Sequence, residues 1–236
     1  DNNGGTSDSG QRIALMRRYL AIFGAASIRL LLADREFVGR AWMDFLNENN
    51  IPFAIRMKEK LIVTTEDGLR LPLGSVLRKC RGVRTFRAAL GHDETCGPLW
   101  LNFAARRLDD GALLIIASNT PARAALAAYR KRWAIECLFG DTKTRGLNLE
   151  DTRLVTPRKL DLLLGLVALA VAWAAKAAAI LTGRKAPARK THGYLAKSWF
   201  RIGFDQLRRL LRHDPAAAVQ PWLVIAQDRV RRHRVV

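Results

Sequence analysis

The chain has 236 residues, with 40 Lys and Arg against 21 Asp and Glu, a net charge of +19 and a sequence pI of about 11.1. A chain of this length buries roughly 70 to 75% of its unfolded surface, so a sizeable core is available. The charge excess goes beyond what solubility needs and points to a polyanionic partner, of which nucleic acid is the commonest. Cys80, Cys96 and Cys137 are odd in number and form no CxxC pair, and His92 beside Cys96 lacks a second ligand pair. A disulfide framework and a zinc site are therefore both disfavoured, and a reducing cytoplasm fits best.

In chain order, the opening "DNNGGTSDSGQR" has no initiator Met, basic n-region or apolar run. It is read as carrying no secretory signal and as beginning mid-protein, with Ser9 a candidate helix cap. "IALMRRYLAIFG" has helical spacing and stops at Gly24, "IRLLLAD" has strand length and ends on Asp34, "FVGRAWMDFLNENN" is a second amphipathic helix, and "PFAIRMK" a second strand. That β-α-β alternation predicts an α/β layer with parallel neighbours. Beyond Lys58, "LIVTTEDGLRLPL" and "WLNFAARRLDDGALLIIAS" alternate about Asp67-Gly68 and Asp110-Gly111, two hairpin signals of a β-rich insertion.

From Pro121, a plausible first helical residue, "ARAALAAYRKRWAIECLFGDTK" is rich in helix formers. A further helix over Leu160 to Leu181 is apolar almost all round and is expected to be buried. Its apolar run, Leu162 to Ala175, is about 14 residues and falls short of the roughly 20 a membrane span needs. After Gly183, cations interleave with Tyr194, Trp199, Phe200 and Phe204. That composition suits either a phosphate backbone with stacked aromatics or an amphipathic helix packed on the domain. The closing "RVRRHRVV" reads as a basic tail.

The chemistry concentrates in "YRKRWAIECLFGDTK". On a continuous α-helix, Tyr129, Arg132, Glu136 and Lys143 fall within about 60° of one another, beside an apolar face of Ile135, Leu138 and Phe139. An Arg132–Glu136 surface pair would need no further explanation. The functional alternative is that Glu136 ligates a divalent metal while Tyr129, Arg132 and Lys143 hold a phosphate backbone, the combination phosphoryl transfer uses. Asp34 is the second candidate carboxylate, because sites of open α/β sheets gather at the carboxyl ends of strands; a helix N-cap is its ordinary alternative.

The spacing Tyr129-x2-Arg132-x3-Glu136-x6-Lys143 resembles the YREK pattern of DDE transposases of the insertion-sequence-four type, and "ADREF" resembles the segment bearing their second catalytic Asp. The resemblance covers roughly residues 8 to 183. It implies an α/β fold: an incomplete RNase H-like core with a β-rich insertion and C-terminal helices. The expected divisions are 1–58 for the first part of the core, 59–118 for the insertion, 119–183 for the helices carrying YREK, and 184–236 for a basic helical region. The resemblance further implies DNA transposition through strand cleavage and transfer, with a two-metal site taking Mg²⁺, or Mn²⁺ as substitute. Asp34 and Glu136 would be catalytic metal ligands, and Tyr129, Arg132, Lys143 and Arg35 would contact DNA. The partners implied are transposon-end and target DNA and a second copy in a homodimer, with no membrane, in a bacterial, nucleoid-associated, cytoplasmic setting. No strand precedes the first helix, so the family's first catalytic Asp is expected to be missing from this chain. An inactive remnant that binds DNA or a subunit is the other expectation.

Overall fold

The computed structural model describes residues 7–91, 97–143, 147–183, 188, 191 and 196–223. His92, Cys96, Tyr194 and the basic tail lie outside them. The chain forms two compact units, Asp1–Trp133 and Ala134–Val236.

The first unit begins with helix α1 (Ser9–Phe23), whose cap is Asp8 rather than Ser9. Asp8 Oδ1 accepts from the Gln11 backbone N–H at 2.7 Å while Gln11 returns the bond to the Asp8 N–H, a reciprocal capping box. The helix stops at Gly24, whose φ of 71° few other residues tolerate. Strand β1 (Leu31–Ala33), helix α2 (Arg40–Glu48) and strand β2 (Phe53–Arg56) follow, and β1 pairs with β2 in parallel, as the alternation predicts.

Strands β3 (Ile62–Thr65) and β4 (Arg70–Pro72) form the hairpin about Asp67-Gly68. A short helix α3 (Leu73–Val76) leads to β5 (Arg84–Leu90), β6 (Leu99–Arg107) and β7 (Leu113–Ser118), with the second hairpin between β6 and β7. Among the described residues the seven strands form one sheet of order β1-β2-β7-β6-β5-β3-β4. The strands of 59–118 thus extend the β1–β2 sheet through the antiparallel β2–β7 pair. Helix α4 (Ala122–Tyr129) closes the unit.

Period-two alternation sorts side chains to the two sheet faces. Phe53, Ile55, Leu101, Phe103, Ile115 and Ala117 join Trp42, Met43 and Leu46 of α2 in the larger core. Ala54, Ala104 and Ile116 face the other way and pack with Ala125, Leu126 and Tyr129 of α4. Two alanines at that contact let α4 sit close to the strands. At the β2–β7 junction, Ser118 Oγ donates to the Phe53 carbonyl at 2.5 Å, and Asn119 Oδ1 accepts from the Phe53 N–H at 2.9 Å. Asn119 Nδ2 donates to the Ile51 carbonyl at 3.0 Å, so polar groups at the start of β2 are satisfied by one side chain.

The second unit holds helix α5 (Trp133–Thr142) from its second residue on, α6 (Pro157–Thr182) and α7 (Trp199–His213). Helix α6 departs from expectation in length and burial. Pro157 and Gly183 set its ends, at 26 residues it is as long and apolar as a membrane span, and only 17% of its most apolar window is buried. The apolar count foretold a buried helix, but Phe200 and Leu207 of α7, with Ala218, cover only the stripe around Ala174 and Ala177, and Leu162, Leu166 and Leu169 are exposed. On α7 itself the aromatic question is settled for Phe200, buried against α6, with Phe204 stacked on it at 5.4 Å.

Candidate functional site

Asp34 leaves the carboxyl end of β1 in extended conformation and caps the 3₁₀ turn Arg35–Phe37. Its Oδ1 accepts from the Arg35 N–H at 2.7 Å, and its carbonyl accepts from the Phe37 N–H at 2.9 Å. The cap thus uses one carboxylate oxygen. The other, Oδ2, faces Arg132 Nη1 at 3.8 Å, and 38% of the Asp34 side chain is open to solvent. Arg35 is exposed and lines a hollow of about 470 Å³ together with Glu36, Val38, Lys58 and Leu61.

The expected single helix from Tyr129 to Lys143 is interrupted. Helix α4 ends at Tyr129, a 3₁₀ turn spans Arg130–Arg132, and α5 starts at Trp133. The backbone at Tyr129, Arg130 and Trp133 has φ of −58° to −54° and ψ of −28° to −22°, within the 3₁₀ range. Residues of a 3₁₀ turn advance about 120° each instead of 100°, so the turn bends the stripe drawn on an ideal wheel. Arg, Lys and Arg are good helix formers, and propensity does not distinguish the tighter turn from α-helix. Gly140, by contrast, leaves α5 intact.

Within the first unit, Asp34, Arg132 and Tyr129 therefore come together. Tyr129 is 7% exposed and packs among Ala54, Ala104, Ile116, Ala125 and Leu126. The Arg132 guanidinium lies 5.9 Å from the Tyr129 ring centroid and turns toward Asp34. The aromatic ring thus props the guanidinium, a cation–π contact of the kind worth about 0.5 to 1 kcal/mol when exposed.

In the second unit, Glu136 sits half-buried in the first turn of α5, where a carboxylate complements the helix dipole. Lys143 is exposed just beyond the end of the helix, its N–H donating to the Phe139 carbonyl at 2.9 Å. Sequence reasoning passed over Asp141, which is buried at 9% exposure and accepts from Ser198 Oγ at 3.3 Å. Ser198 in turn caps α7, accepting from the Arg201 N–H at 3.1 Å. Ser198 is a recognisable helix cap from sequence, but its tie to a carboxylate 57 residues earlier has no local trace.

Hard divalent cations take oxygen donors, and carboxylates such as Asp34, with an oxygen outside its cap, have the right chemistry one at a time. Among the described residues, no group of three or more His, Cys, Asp or Glu gathers as a metal cage.

Asp34 thus stands at the carboxyl end of a parallel strand of an α/β sheet, where the ligand sites of open sheets gather, with a propped arginine beside it. A family model described as "Transposase DDE domain" matches residues 2–173, and the chain belongs to that family. Its catalytic domain is RNase H-like, its members generally use divalent metals, and membership supports a function in DNA transposition and recombination. A search of curated proteins finds no match. The matched span ends inside α6, ahead of all of α7.

Proposed function

We propose that the protein is a transposase of the insertion-sequence-four type that cleaves DNA at transposon ends and transfers the strands. The single observation that carries this reading is Asp34: it caps a turn with one oxygen and presents the other beside Arg132 at the end of β1. In this reading Asp34 and Glu136 are two carboxylates of a site for Mg²⁺, or Mn²⁺ in its place. A divalent cation held by these two carboxylates would supply stabilisation for the charge developing on a phosphate under in-line displacement.

The remaining residues hold and orient DNA. Arg132, propped on Tyr129, neutralises a phosphate next to the reacting one, while Tyr129 positions that arginine from the core. Lys143 and Arg35, both exposed, take flanking phosphates. Members of the family are generally soluble, DNA-acting proteins, and we place this one at the bacterial nucleoid, working as a homodimer on paired ends.

A second reading, DNA or subunit binding without cleavage, is favoured by the lack of a three-residue ligand group among the described residues. Metal removal separates the two. The protein expressed from its whole reading frame should nick transposon-end DNA in Mg²⁺, stop in EDTA and recover in Mn²⁺. Nicking that persists in EDTA would contradict the metal site, and tight binding with no nicking in either metal would favour the binding reading.

A further inference from the structure

The outer face of α7 has no part in the matched domain. At about 100° per residue, Phe200, Gly203, Leu207 and Leu210 share one side of this helix. The first three are buried, and Phe200 and Leu207 pack with Ala174 and Ala177 of α6. On the opposite side Arg201, Arg208 and Arg212 fall within about 40° of one another, with Arg209 about 60° further round. All four are exposed. Arg208, Arg209, Arg212 and His213 border a shallow hollow of about 230 Å³ with Asp205.

A solvated helix face usually mixes charges of both signs. Here the lone carboxylate, Asp205, is already taken: its Oδ2 pairs with Lys197 Nζ and its Oδ1 with Arg201 Nε, both at 3.0 Å. Partial burial pushes the Asp205 carboxyl up, but hydrogen bonds and charge from Lys197 and Arg201 outweigh it and hold the group below its usual value. Among the described residues no carboxylate forms an ion pair with Arg208, Arg209 or Arg212. Arg208 is steadied over the Phe204 ring at 5.9 Å. Arg208 and Arg212 stand one turn apart, about 6 Å along the axis.

A lipid-binding helix needs apolar side chains flanking its cations to enter the interface. The sector from Arg208 to Arg209 offers none, the exposed Leu211 lying about 60° outside it, and a backbone of fixed phosphates asks for none. We propose that the outer face of α7 is a sequence-independent clamp for the phosphate backbone of duplex DNA, with Arg208 and Arg212 each taking a phosphate and Arg209 and His213 supporting them. The clamp rests on DNA being the partner, as proposed above, and on nothing about Asp34 or Glu136.

The test is fluorescence anisotropy of the whole chain on a duplex of about 30 base pairs across a salt series, with Arg208→Gln/Arg212→Gln. Each lost phosphate contact flattens the slope of log K against log[salt] by about 0.9, so the double variant should be shallower by about 1.8. The loss should be equal on duplexes of unrelated sequence, Arg208→Lys/Arg212→Lys should keep the slope, and both variants should retain the parent circular dichroism spectrum. An unchanged slope in the folded Gln variant, or a loss confined to one sequence, would overturn the clamp. So would loss of binding to vesicles rich in anionic lipid with duplex affinity intact. Nicking that depends on Glu136 alongside an unchanged slope would sink the clamp alone, whereas a flattened slope with no nicking in any metal would leave it standing and remove the catalytic reading.

Discussion

Asp34→Asn and Glu136→Gln, each in the protein expressed from its whole reading frame, are expected to lower Mg²⁺-dependent strand cleavage by at least about a thousandfold while duplex affinity stays within roughly threefold. The exchange at position 34 is unusually clean. Asn and Asp are equivalent N-caps, so the Oδ1 bond to the Arg35 N–H survives and the turn Arg35–Phe37 keeps its shape. What disappears is the charge on Oδ2, whose half-exposed contact with Arg132 at 3.8 Å contributes little to folding. Glu136→Gln is equally mild, since Gln and Glu have nearly the same helix propensity. Asp34→Ala provides the contrast: it should lose the same activity and, with its cap gone, about 1 kcal/mol of stability as well. Gel-resolved cleavage beside thermal melting measures both quantities, and full cleavage by either charge-removing variant would take that carboxylate out of the site.

Gly203→Ala is the second large effect, and it acts on structure. A Cβ built on Gly203 would land inside the backbone carbonyl group of Ala174 on α6. No side-chain rotation relieves a clash with backbone, so α7 must lift away and carry Phe200 and Leu207 off the alanine stripe. The expected cost is roughly 3 kcal/mol, at the upper end for overpacking. Trp173 reports the change, because its Nε1–H donates to the Ala218 carbonyl at 2.8 Å and its ring lies 6.4 Å from that of Trp222. Amide exchange along α7 and tryptophan fluorescence should both show the helix loosened, while protection in the sheet of the first unit stays as in the parent. Parent-like protection of α7 in the variant would contradict the close approach of the two helices.

The parts of this structure legible in sequence are those set by neighbours a few residues apart. Gly24 ends α1 because its conformation suits glycine, and Asp67-Gly68 and Asp110-Gly111 turn their hairpins for the same local reason. The parallel β1–β2 pair follows from a helix lying between two apolar runs. The β2–β7 pairing was not legible, because it joins segments about sixty residues apart through Asn119 and Ser118, and hairpin signals say nothing about which strand the ribbon joins.

The candidate site divides the same way. Asp34 does stand at a strand end, and of the roles weighed for it the cap is the one seen: one oxygen caps the turn Arg35–Phe37 and the other lies beside Arg132. The depth of Tyr129 escaped sequence reasoning, because a wheel shows which residues share a stripe but not where that stripe meets the sheet. The 3₁₀ turn at Arg130–Arg132 escaped for want of any proline or glycine to mark it. Helix α6 shows the converse limit: composition reports that a helix is apolar, and only the tertiary structure reports how much of it is covered.

Whether Asp34 and Glu136 ligate the same cations is tested most directly by a double-mutant cycle on Mn²⁺ binding, read by electron paramagnetic resonance in the presence of duplex DNA. Asp34→Asn and Glu136→Gln should each weaken Mn²⁺ at least about tenfold, and the double variant should lose less than the two losses combined, a coupling of about 1 kcal/mol or more. Unchanged Mn²⁺ affinity in either single variant, or losses that simply add, would contradict a shared metal site.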